Sequence, residues 1–110
     1  MTAQISFAEF EASLGRESHP PVRLSVPLRA LWLEGKGDWS GAHALAQAAD
    51  LSKNEARDGA WVHAHLHRKE EDAANAAYWY ARAGRPVATG DLAAEWREIA
   101  ATLLKSAESG

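Results

Sequence analysis

His63 and His67 stand four residues apart, the spacing at which two imidazoles converge on one face of a helix. With His65 between them and His43 upstream, the pattern raises the chemistry of a bound metal, with His63, His67 and His43 as its ligands. The carboxylates argue against that reading. Glu70 follows His67 by three residues, and no Glu lies between the histidines where a zinc protease needs one. Tetrahedral sites also require more ligands than two neighbouring imidazoles supply. The expectation is therefore structural. His63 and His67 are read as partly buried imidazoles that donate to a carbonyl or a tyrosine hydroxyl across a helix pair, with no cofactor and no metal. The alternative is a small enzyme or a metal- or ligand-binding protein that uses His63 and His67, helped by His43 or Asp58. No catalytic set is visible, because no serine has a base placed beside it and no glycine-rich phosphate loop occurs.

A second set lies on another face of the same segment. Trp61, His65 and Arg68 combine an aromatic platform, an imidazole and a guanidinium, which suits an anionic or aromatic side chain of a peptide. Tyr78, Trp79 and Tyr80 are consecutive and cannot all face one way. Tyr80 is expected in the core and Trp79 against an adjoining helix pair, which leaves Tyr78 partly exposed beside the binding set.

These residues need helices to hold them, and the sequence punctuates helices clearly. Ser6 with Glu9 forms a capping-box pattern before Phe7, Phe10 and Leu14, and Gly15 closes the stripe. His19-Pro20-Pro21 breaks the chain before a helix that begins near Ser25 and stops at Gly35-Lys36-Gly37. Asp38 caps Trp39 to Ala49. Ser52 with Glu55 opens what reads as the longest helix, Lys53 to Lys69, and Asp72 caps Ala73 to Ala83 ahead of Gly84 and Pro86. Thr89 or Asp91 starts a terminal helix, about 91–105, on which Leu92, Trp96, Ile99 and Leu103 recur at helical period, and residues 106–110 read as a tail. Alternating patterns never persist, so no strand is expected.

Gly37-Asp38-Trp39-Ser40-Gly41-Ala42 is echoed 34 residues later by Glu71-Asp72-Ala73-Ala74-Asn75-Ala76. The echo pairs Ala30 with Ala64, Ala42 with Ala76 and Ala49 with Ala83. A period of 34 resembles the tetratricopeptide repeat, a helical hairpin that buries its face against a neighbour. Residues 26–84 would form two such hairpins, with flanking helices as caps. Arg29 takes a position that is apolar in that repeat, and Ala46 replaces the large aromatic that Tyr80 supplies in the second copy. The stretch Ala60-Trp61-Val62-His63-Ala64-His65-Leu66-His67-Arg68-Lys69-Glu70, running on to Tyr78-Trp79-Tyr80-Ala81-Arg82-Ala83-Gly84, also resembles a family of small bacterial proteins with fungal relatives. That resemblance implies a helical fold and no assigned activity.

The expected architecture is all-α: one domain over residues 1–110, five to six short helices, and two hairpins like tetratricopeptide repeats. Twelve basic and 15 acidic residues are interspersed, giving a net charge of −3 and no basic stripe for nucleic acid. The chain has no cysteine, so it can form no disulfide. No apolar run is long enough for a membrane span and no basic leader is present, so a cytoplasmic location is expected. Five tryptophans supply the bulk that the many alanines lack. The functional expectation is a helical module that binds a protein or peptide or associates with itself.

Overall fold

Four short polar side chains begin four of the helices. Ser6 Oγ accepts from the Glu9 N–H at 3.1 Å, Ser25 Oγ from Leu28 at 3.4 Å, Asp38 Oδ1 from Gly41 at 2.9 Å and Asp72 Oδ1 from Asn75 at 3.3 Å. Each satisfies an amide that the first turn leaves without an intrahelical acceptor. The computed structural model describes the backbone of residues 5–50 and 54–109 and the side chains of 5–50 and 54–105. Among the described residues there are six helices and no strand. They are α1 (Phe7–Arg16), α2 (Val26–Gly35), α3 (Trp39–Ala49), α4 (Ala56–Lys69), α5 (Ala73–Ala83) and α6 (Leu92–Ser109). None is long and apolar enough to cross a membrane.

The period of 34 reappears as matching turns. The Asp38 N–H donates to Leu33 O at 2.9 Å, and the Asp72 N–H to His67 O at 2.9 Å. Gly37 donates to Glu34 O at 2.9 Å and Glu71 to Arg68 O at 3.0 Å. Gly37 and Glu71 both take positive φ, 90° and 64°. A left-handed residue between the helices reverses the chain in both copies.

Each of these turns packs its two helices together, α2 on α3 and α4 on α5, and α3 lies against α4. α6 crosses α2 and α4, and α1 rests on α2 and α6. The core is built around Trp32, Phe10, Leu31, Leu66 and Ile99, all fully buried. Two of its buried indole N–H groups have partners: Trp32 Nε1 donates to Ser13 Oγ at 2.8 Å and Trp96 Nε1 to Leu31 O at 2.9 Å. Helix α4 is the centre of the bundle. Its residues from Gly59 to His67 are all buried, so it shows no solvent face there. At Gly59 a Cβ would lie 2.7 Å from the Ala49 Cβ, and this glycine lets α3 approach α4.

Three expectations need correction. The helix expected from Lys53 begins at Ala56, with Glu55 at its cap making no side-chain hydrogen bond; Ser52 lies outside the described residues. The expected tail at 106–110 is helical through Ser109, which makes α6 the longest helix at 18 residues. α1 passes through Gly15 to Arg16, and Lys36 Nζ, at the C-cap of α2, donates to Leu14 O at 2.7 Å in that last turn.

Candidate metal centre

The α3–α4 crossing at Gly59 and Ala49 sets the geometry of the histidines. The helices run antiparallel, so stepping back along α3 to His43 and forward along α4 to His63 brings these rings together. His63 Nε2 lies 2.9 Å from His43 Nε2. His67, one turn further along α4, stacks on His63 with ring centroids 5.0 Å apart and meets His43 edge-on at 5.3 Å. One donor atom from each of His43, His63 and His67 falls within 4.8 Å of the other two.

Two indoles wall this triad. Trp79 of α5 stacks on His63 at 3.9 Å and 16°, and Trp39 stacks on His43 at 4.7 Å and 11°. Trp39 is fixed by its Nε1–H, which donates to Leu66 O at 2.9 Å. His63 is 2% exposed and His67 7%, yet Nδ1 of each has no hydrogen-bond partner among the described residues. The expected donation to a carbonyl or a tyrosine hydroxyl is therefore absent, and the two imidazoles meet other imidazoles instead. Burial, then the neighbouring His43 and His67, pushes the His63 pKa down to about 4. Burial and His67 lower that of His43 as well, against a weaker opposing pull from Glu70. Both rings are neutral near pH 7, with a nitrogen lone pair to offer. Glu70 Oε1 stands 3.6 Å from His67 Nδ1, beyond hydrogen-bond reach.

His65 points to the opposite side of α4 and joins a buried ionic network that the sequence pattern did not reveal. Its Nδ1 lies 2.8 Å from Glu95 Oε1 and its Nε2 3.6 Å from Glu34 Oε1. Arg68 also reaches Glu95 Oε1, at 2.9 Å, and donates to Gly90 O. The Tyr80 hydroxyl donates to Glu95 Oε2, and Lys69 pairs with Glu34. Burial works against the His65 imidazolium, but Glu34 and Glu95 together outweigh it and raise its pKa. Burial likewise works against ionised Glu34 and Glu95. For Glu34 it is outweighed by His65 and Lys69, and for Glu95 by His65, Tyr80 and Arg68, so both stay below the usual carboxylate value.

The four residues expected on one open binding face do not share one. Trp61 is only 4% exposed, with the Arg85 guanidinium 3.7 Å above its ring. His65 is 1% exposed inside the network. Arg68 is ion-paired and partly buried. Tyr78 alone is open, at 54%, edge-on to Trp79 and under Arg82. The expected concave platform fails because α6 and the 85–91 segment cover that side of α4. Asp58 is not part of the triad; burial raises its pKa, partly countered by Arg85.

The small residues Gly59, one turn before His63, and Ala46, one turn after His43, together with Ala49, were the signal that could have joined the histidines. No protein-family model, no curated protein and no solved structure matches the chain.

Proposed function

We propose that the chain is a metal-binding helical domain in which His43, His63 and His67 hold a divalent late transition metal, Zn²⁺ in the first instance. The observation that carries this reading is the convergence of three imidazole donors within 4.8 Å, in an aromatic box, with buried nitrogens left unpartnered. A buried polar atom without a partner costs about 1–3 kcal/mol, and that cost is removed where a ring turns its unpartnered Nδ1 to the ion. Zinc bonded to tetrahedral nitrogens at about 2.0–2.1 Å spaces them about 3.3 Å apart, so modest movements of the rings admit the ion. Neutral, all-nitrogen donors favour Zn²⁺, Cu²⁺ and Ni²⁺ over Mg²⁺ or Ca²⁺. Three protein ligands leave a fourth position for water or another small ligand. The reading as a peptide-binding or self-associating repeat module has less support, since Trp61 and His65 lie in the interior.

Calorimetric titration with ZnCl₂ should give one site with a dissociation constant of roughly 1 µM or tighter. At 100 times that concentration the fold should gain about 2.7 kcal/mol in thermal melts. Co²⁺ should produce the visible bands of a tetrahedral nitrogen site and quench Trp39 and Trp79. His63→Leu should abolish all three responses and still melt cooperatively without metal, since leucine fills the buried position with an apolar side chain. His43→Ala, at the more open edge, should weaken binding at least about tenfold. The reading fails if no saturable site appears, or if the site survives His63→Leu.

A further inference from the structure

A pocket of about 380 Å³ opens on the other side of α4, among α1, α2, α4 and α6, within the size range of small-molecule sites. Leu14, Leu92 and Trp96 form its apolar walls. Glu34 and His65 reach it from the interior, 7% and 1% exposed. Lys69 and Arg97 stand at its rim, both exposed.

From this arrangement we infer that the pocket is a second ligand site, one that takes a small carboxylate with an apolar body. The charge balance selects the anion. Glu34 is matched by Lys69 and faces His65, Glu95 behind it is matched by His65 and Arg68, and Arg97 has no acidic partner among the described residues. The pocket is therefore left with surplus positive charge at its mouth, and the Lys69 ammonium keeps donors beyond the one given to Glu34. A guanidinium takes a carboxylate through two parallel N–H donors. The buried Glu34 repels a second anion from the floor, so the carboxylate belongs at the rim and the apolar body lies along Leu14, Leu92 and Trp96. A bare anion would leave those walls uncovered, and an amine would meet Lys69 and Arg97.

Amide chemical-shift titration of the full chain with sodium hexanoate tests the site, with acetate, 1-hexanol and hexylamine as comparators. Hexanoate should saturate, moving amides of α6 and of the C-terminal turns of α2 and α4. It should bind at least about tenfold more tightly than each comparator. Arg97→Glu, an exposed change that leaves the fold intact, should remove the preference of hexanoate over hexanol. Three results would each overturn the inference. They are hexanol binding as tightly as hexanoate, acetate doing so, or an absence of saturable shifts around α6. His63→Leu should leave hexanoate binding unchanged, so the outcome is independent of the metal centre.

Discussion

Glu95 receives three donors at two oxygens: His65 and Arg68 at Oε1, and Tyr80 at Oε2. Its charge is what makes three otherwise costly buried groups compatible with the core. The sign of the resulting pH dependence follows from the direction of each shift. Glu34 and Glu95 titrate below their ordinary value, so their stabilisation is complete above about pH 4.3 and fades as pH falls through the lower folded values. His65 titrates above its ordinary value, so its contribution is full below about pH 6.5 and is lost as pH rises through the folded value. Glu95→Gln should cost about 3 kcal/mol near neutral pH, because it strands Arg68 and His65. Melts repeated toward about pH 3 should show the gap between variant and wild type closing as Glu95 itself becomes protonated. A gap that stays constant over that range would mean that the carboxylate charge is not what holds the network.

The helices themselves were largely legible, because their limits are set by local chemistry. Asp38 and Asp72 cap where their side chains predict, and Gly84 ends α5 at φ 71°. The stripe Trp96, Ile99 and Leu103 is buried as its period requires. Helix α4 was the element that local pattern misread. Its Trp61, His65 and Arg68 read as an open face, and contacts from other helices, α6 among them, turn that face inward. His43 and His63 are 20 residues apart, and His65 and Glu95 are 30 apart. No periodicity within one helix carries such pairings. Ala46 was a misfit where the second copy has Tyr80, yet its smallness is part of what seats α4 against α3. The turns offer a test at this scale. Glu71 adopts a φ of 64° where its counterpart Gly37 has 90°. Glu71→Gly should stabilise by roughly 0.5–1 kcal/mol, and Gly37→Ala should destabilise by about 1 kcal/mol, as read from denaturant midpoints. Equal effects from the two changes would contradict the matched turns.

For the whole molecule, the approach of α3 to α4 ties packing to the metal centre. Gly59→Ala places a methyl 2.7 Å from the Ala49 Cβ and must push the helices apart. It should cost about 1–3 kcal/mol and weaken Zn²⁺ binding in parallel, since the same crossing spaces His43 from His63. Ala74→Leu, on an exposed position of α5, should do neither. Glu34 and Arg68 occupy equivalent places in the two hairpins, yet they carry opposite charges and meet in one network with His65, whose own counterpart is the buried Leu31. The hairpins are therefore not interchangeable. A second copy of α2–α3 in place of α4–α5 would set a glutamate against Glu95 with no imidazole between them, and a second α4–α5 in place of α2–α3 would leave His65 facing an arginine. Charge thus fixes which hairpin occupies which place.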